Sequence, residues 1–456
     1  MLELTAIDLI LVPVYLVLLS FVLSFINKRI NKDKTLIRYF STGSKIKLVV
    51  VIFFGLFSIF LSPGDTAVFY TGGLDYKNIV LDKPHFLFSS AQEFGNYYET
   101  QGLRAENYGF VSSESNLMAM KFVALFSLVS FNNYMVICMF FSAFSFFGLW
   151  FMFKTFYKMY PGLHKVIFMT FFLIPSVLFW GSGVMKDTLC IGFLGIGFYN
   201  AYLFFIQKRY DIKFLFACLI SFYCLFVLKS YIAIAFGCSF VFWLFLLKIA
   251  TLNSIAVKAA VTVIPVLLIG LYLVFGNFNK LVSDFSVEAL AENMQANQKN
   301  YFLTTPDDGA FIDYGEIVPT VGGIARIIPK ALVASLFRPF IWESRKITSL
   351  IASIEGSFFF VFTLYVFLRK GILRSLKIVF TNSTISFCLL FAIVFAIAIG
   401  LNCFNLGTLV RYKIPCLPFY LFSLILILKK HEEKSVAPLK AGSSSQPFVY
   451  KMPGQE

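Results

Sequence analysis

Seven charged side chains stand beside or between long apolar runs. Asp65 follows one such run in "LSPGDTAVFY". Lys186 and Asp187 lie in "FWGSGVMKDTL", with nearly charge-free stretches on either side, and Lys229 interrupts another run at "LKSY". Arg338 and Glu343 belong to "FRPFIWESRK", with Trp342 between them, and Arg411 opens "RYKIP". A carboxylate such as Asp65 is suited to removing a proton from a hydroxyl. Lysine offers a phosphate a point charge and arginine a bidentate fork, so Lys186, Lys229, Arg338 and Arg411 together suit a lipid-linked phosphate. Asp187, Trp342 and Glu343 read as supports. Each has a plainer reading. Asp65 in "SPGDT" suits a turn or a helix cap, and a lone cation at a span end snorkels to the headgroups.

The elements that carry these residues follow from composition. Of 456 residues, 59% are hydrophobic and 14% charged, and the mean hydropathy is +0.80. Soluble domains run nearer 45–50% apolar and about 25% charged. Many runs approach the roughly 20 residues that span hydrocarbon as a helix. The expected fold is an all-α polytopic membrane protein with the lipid bilayer as its solvent. The first run, about Leu9 to Ile26, has no basic flank before it and no small-residue cleavage site, so it reads as a retained helix. The net charge of +15 does not point to nucleic acid, because the basic residues cluster just past apolar ends, where they orient helices. The eight cysteines fall almost wholly inside apolar runs, with no disulfide framework or metal-ligand spacing. No cofactor or metal is expected. Richness in Phe, Ile and Lys suggests an AT-rich bacterial genome, hence a bacterial cytoplasmic membrane.

Loops rich in Lys and Arg stay cytoplasmic. Lys28, Arg29, Lys32, Lys34, Arg38, Lys45 and Lys47 crowd the connection after the first run, which places the amino terminus outside. A span at about Leu48 to Leu61 leads to an acidic outer loop, about 62–116, whose aromatics argue for internal order. Leu117 to Phe131 is short and holds Lys121, so it reads as interfacial or re-entrant, a full span being the alternative. Spans follow at about Tyr134–Phe153, Val166–Phe179 and Thr188–Phe205. On this count Trp180 to Asp187 is a turn at the outer surface. Further spans are read at Phe214–Leu228, with Lys229 to Tyr231 outside, then to Lys248, and at Ala259–Phe275. A second outer loop covers about 276–346. Spans at Ile347–Leu368 and Ile378–Leu401, and a last one after Lys413, complete about eleven crossings with the carboxyl end inside. Residues 1–433 read as a single transmembrane domain, and 434–456, rich in Ser, Pro and Gly, as a disordered cytoplasmic tail.

Asp307, Asp308, Asp313 and Glu316 match no calcium-loop spacing and read as a solvated loop. No serine or cysteine nucleophile motif, phosphate-binding glycine loop or dinucleotide fingerprint is present. "SPGDTAVFY" after an early span resembles the first outer-loop acid of GT-C superfamily membrane glycosyltransferases. "VRYKIPCLPFYLFSLILIL" is similar to the ending of polyprenol-linked sugar transferases resembling glycosyltransferase family 39. "PSVLFWGSGVMKD" and "LFRPFIWES" look like blocks in bacterial surface-polysaccharide membrane proteins. The resemblance implies that Asp65 is the general base and that Lys186, Arg338 and Arg411 hold the phosphate of a polyprenyl-phosphate-linked sugar or oligosaccharide. The second acid that many family members carry is absent, since Thr66, Ala67 and Val68 follow Asp65. The expected function is transfer of that sugar to an acceptor at the outer face. A repeat-unit polymerase for surface polysaccharide is the close alternative, and a lipid-glycan flippase or transporter the more distant one.

Overall fold

The computed structural model describes residues 2–104, 107–249, 287–304, 311–344 and 347–429. The span expected at Ala259–Phe275, the pair Asp307–Asp308 and the tail 434–456 lie outside the described residues. Among those residues the secondary structure is helical, apart from one isolated bridge between Phe311 and Asn405. The chain divides into two compact units, Met1–Ile234 and Ala235–Glu456.

In the first unit, α1 (Asp8–Ile30) and α2 (Lys34–Phe60) form a hairpin. Asp33 caps α2 by accepting the Thr35 N–H at 2.7 Å. A group of shorter helices follows: α3 (Gly64–Asp82), α4 (Ala91–Thr100), α5 (Tyr108–Val111) and α6 (Glu114–Ser127). The order expected of residues 62–116 is therefore helical. Side chains lace the group together: the Tyr98 hydroxyl donates to Asp75 at 2.7 Å, Arg104 pairs with the same oxygen at 3.0 Å, and Glu114 accepts the Ala91 N–H at 2.7 Å. Helix α6 has 14 residues, short of the roughly 20 that cross hydrocarbon.

Helix α7 (Tyr134–Met159) is the buried centre of this unit. Helices α8 (His164–Phe172) and α9 (Pro175–Trp180) come next, then a turn, then α10 (Lys186–Ala201), which a short π-helical stretch extends to Ile206. Helix α10 packs intimately on α7. A Cβ added at Gly195 would sit 1.9 Å from the Gly148 carbonyl oxygen. Only small residues allow backbones to approach so closely, a common device between membrane helices. Helix α11 (Ile212–Ile249) then runs for 38 residues with one break in its helical backbone, at Lys229 (φ −154°, ψ 88°). The boundary between the units falls within it.

In the second unit, α12 (Val287–Thr304) and α13 (Val321–Phe337) precede α14 (Ile347–Lys370), α15 (Ile372–Thr381) and α16 (Ser383–Asn402). Helix α16 packs on α13, with Gly400 against the Ala331 carbonyl. Its Phe387 and Phe391 meet Phe236 and Phe419, and Trp243 stacks on Phe387 at 4.7 Å. The last described helices are α17 (Leu406–Tyr412) and α18 (Leu417–Lys429), bent by 69° at the intervening turn.

By length and apolarity, 7 described helices suit a membrane crossing, or up to 8 if the bent pair is one span. This is a multi-pass membrane protein, and the described helices differ from the expected spans at four places. Residues 166–179 form two short helices, each too short to cross. Residues 214–248 divide at Lys229, where a break is expected, into two helical stretches that meet at a kink and not through an outer loop. Residues 372–381 are a separate helix and not the start of the next span. Finally, α2 begins at Lys34, so Lys45 and Lys47 lie within it and not in a basic connection.

Candidate functional site

The turn at Gly181–Met185 shows how the first unit positions its charges. The sequence places this turn at an outer surface, but the structure seats it inside the helical bundle. Lys47, at the midpoint of α2, is buried, and its Nζ donates to the Gly181 carbonyl at 2.5 Å and to Ser182 Oγ at 2.9 Å. Ser145, near the midpoint of α7, donates to the same Gly181 carbonyl at 2.5 Å. These bonds take up a carbonyl at the end of α9, which the helix itself leaves unpaired. Gly183 faces Phe54: an added Cβ would lie 1.8 Å from that ring. The turn is thus held between Lys47 and Phe54, well inside both ends of α2. Two short helices bring it there because neither is long enough to carry the chain across.

Helix α10 starts directly after this turn, with Lys186 and Asp187 in its first turn. Asp187 is buried, and its partner is not the adjacent Lys186. Lys229 Nζ donates to Asp187 Oδ1 at 2.5 Å, with both side chains almost fully enclosed. Lys229 is the residue at which α11 leaves helical geometry, and the Tyr231 ring lies 6.0 Å from its Nζ. Charge beside apolar runs singles out both residues, but where the sequence places them at an outer surface the structure joins them in a buried ion pair. Such a pair needs close geometry to offset desolvation.

Lys186 turns the other way. Its Nζ donates to Ser115 Oγ at 3.0 Å and Asn116 Oδ1 at 2.7 Å, both on α6, and lies 6.0 Å from the Phe69 ring of α3. Asp65, in the first turn of α3 and half-buried, is within electrostatic reach of Lys186. Four of the expected site residues, Asp65, Lys186, Asp187 and Lys229, therefore share one neighbourhood in the first unit. Chemically, it places a carboxylate near a half-buried ammonium held by neutral oxygens, beside a closed ion pair.

The other expected residues belong to the second unit. Arg338 follows the end of α13 and is engaged by Glu343: Nε lies 2.8 Å and Nη2 2.6 Å from Oε1. The second Glu343 oxygen accepts the Phe340 N–H at 2.7 Å. Trp342 is 79% exposed and stacks on Phe340 at 4.8 Å. Arg411 lies in the last turn of α17, its guanidinium 5.2 Å from the Tyr412 ring, with Tyr301 of α12 within electrostatic reach. Lys413, just beyond, is buried and donates to the Arg338 carbonyl at 2.9 Å. Buried Glu355 of α14 is within its electrostatic reach.

Sequence reasoning missed Lys47, Ser115, Asn116, Glu355 and a buried role for Lys413. Two signals were present. Glu355 is the lone acid within the spans expected from the sequence, and charge at membrane depth commonly marks function. Lys47 stands fourteen residues into a helix that Asp33 begins. The two neutral partners of Lys186, Ser115 and Asn116, carry no signal that spacing alone would reveal. No protein-family model, curated protein or solved structure matches the chain.

Proposed function

We propose that this protein is a membrane glycosyltransferase that moves a sugar from a polyprenyl-phosphate-linked donor to an acceptor hydroxyl at the outer face of a bacterial cytoplasmic membrane. The observation that supports this reading is the shared neighbourhood of Asp65 and Lys186. In the proposed reaction Asp65 removes the acceptor's proton. Lys186 stabilises charge developing on the leaving carrier phosphate, and does so best in a site that excludes water. As the acceptor oxygen bonds the anomeric carbon, the bond to phosphate breaks, and the carrier leaves as its phosphate. The Asp187–Lys229 pair fixes the start of α10 and so the place of Lys186. Arg338 and Arg411 are not needed for this step.

A second reading is a carrier that translocates a lipid-linked glycan without cleaving it. What favours it is the enclosed charge pair at a break in α11, since transporters build polar sites from discontinuous helices. One assay separates the readings. Purified full-length protein in lipid is incubated with polyprenyl-phosphate sugars and acceptors, and released carrier phosphate is measured. The transferase reading expects release by the wild type and a loss of roughly a hundredfold or more in Asp65→Asn. Translocation of a labelled lipid glycan without release, unchanged in Asp65→Asn, would establish the carrier instead.

A further inference from the structure

Helix α15 (Ile372–Thr381) lies between two spans without being part of either. It is 10 residues long, about 15 Å, half the thickness of hydrocarbon. Its ends are fixed. Gly371, at φ 78°, turns the chain out of α14. Asn382 then caps α16 by accepting the Thr384 and Ile385 N–H groups, and Ser386 Oγ donates back to the Val379 carbonyl at 2.5 Å.

Its side chains divide by face. Ser375 is fully buried against the protein. Ile372, Leu373, Leu376 and Phe380, which share one side at helical spacing, are 65%, 84%, 43% and 80% exposed. Arg374 and Lys377 lie next to this stripe, and Arg369 and Lys370 immediately precede it. No acidic residue occurs between Glu355 and Glu432. Four cations and an exposed apolar stripe thus occupy one short segment, tethered at both ends to helices that suit a membrane crossing.

We propose that α15 is an interfacial helix that seats Ile372, Leu373, Leu376 and Phe380 in the acyl boundary and gathers anionic lipid headgroups with Arg369, Lys370, Arg374 and Lys377. The bilayer is the occupant that the tethering dictates: a helix joining the ends of two spans lies at the membrane surface. An apolar face beside a basic one is the composition that binds in the plane of that surface. Juxtamembrane cations then draw anionic lipid. This inference holds whether the protein transfers or carries its substrate.

The test uses full-length protein in nanodiscs of phosphatidylcholine with and without phosphatidylglycerol. Cys238 is an exposed cysteine, so Phe380→Cys and Thr381→Cys are spin-labelled in a Cys238→Ser background. The expected result is a label at 380 reached by oxygen and one at 381 reached by a water-soluble nickel complex. Retention of phosphatidylglycerol over phosphatidylcholine, read by native mass spectrometry, should fall severalfold in R374Q/K377Q, at roughly up to fivefold per cation. Equal nickel access at both positions would overturn the proposal. So would a label at 380 shielded from both reagents, which would mean that protein covers the stripe. Unchanged lipid retention in the double variant would overturn the headgroup part. Both substituted cations are exposed, so the fold should survive.

Discussion

In the first unit Lys229 interrupts α11 and meets the Asp187 carboxylate at 2.5 Å. In the second, Lys413 stands at the 69° bend between α17 and α18 and meets a backbone carbonyl, that of Arg338, at 2.9 Å. Both lysines are buried where a helix gives way, but their neighbourhoods differ. Around Lys413 the charges close on one another: Arg338 places two nitrogens on one Glu343 oxygen, and Glu343 spends its other oxygen on the Phe340 amide. That arrangement is a clasp for the chain after α13. Around Lys229 the pair with Asp187 is closed as well, but Lys186 beside it is held by a hydroxyl and an amide oxygen, with Asp65 near. The comparison teaches that buried charge at a break has two uses. One satisfies the backbone, and the other sets Lys186 near Asp65, the arrangement on which the proposed function rests.

The largest expected effect separates pairing from stability. Lys229→Ala leaves Asp187 enclosed without its cation and should cost about 3–5 kcal/mol in unfolding free energy measured in mild detergent. The double variant Asp187→Leu/Lys229→Met should recover most of that loss, because apolar replacement of a buried pair is often close to neutral. Its carrier-phosphate release should nonetheless stay lost. The matching variant Lys413→Met/Glu355→Leu should recover both folding and activity. If the two doubles behave alike, the distinction between clasp and site fails.

A second effect tests the seat of the turn before Lys186. Gly183→Ala presses a methyl into Phe54 and should destabilise by about 1–3 kcal/mol, the usual cost of overpacking. Thermal unfolding of the purified variant checks it, and a simultaneous Phe54→Leu should relieve part of the loss. No change in Gly183→Ala would place the turn away from α2.

Much of the candidate site was legible in the sequence and its depth was not. Asp65, Lys186, Asp187 and Lys229 stand out because charge beside apolar runs is conspicuous. The pairing of Asp187 was hidden because its adjacent residue, Lys186, offers an apparent partner, while a helix start sends consecutive side chains about 100° apart. The reading of Trp180 to Asp187 as an exposed turn failed because apolar runs were counted as crossings. Hydropathy does not register that Pro175 divides one run into two short helices or that Lys47 reaches the turn from mid-helix. The charge rule likewise took Lys45 and Lys47 for a loop, although Asp33, a favoured cap residue, marks where α2 begins.

The smallest effect lies at the opposite end of α2 from the turn's contact with Phe54. The Tyr157 hydroxyl donates to Asp33 at 2.5 Å and, with the Thr35 amide, holds the Asp33 carboxyl below its ordinary range despite partial burial. A depressed carboxyl stabilises the fold above its unfolded pKa, near 4, and loses that contribution as pH falls through the lower folded value. Asp33→Ala should cost about 1 kcal/mol at neutral pH, and the difference from wild type should shrink below about pH 4. Thermal unfolding across that window checks the sign.

The most direct measurement is the affinity of the purified protein, in nanodiscs, for a polyprenyl phosphate without its sugar. If Lys186 receives the carrier's phosphate, Lys186→Gln should weaken binding by roughly tenfold or more, the worth of one charge-assisted hydrogen bond, with Asp187 and Lys229 intact. Wild-type affinity in Lys186→Gln would contradict the account.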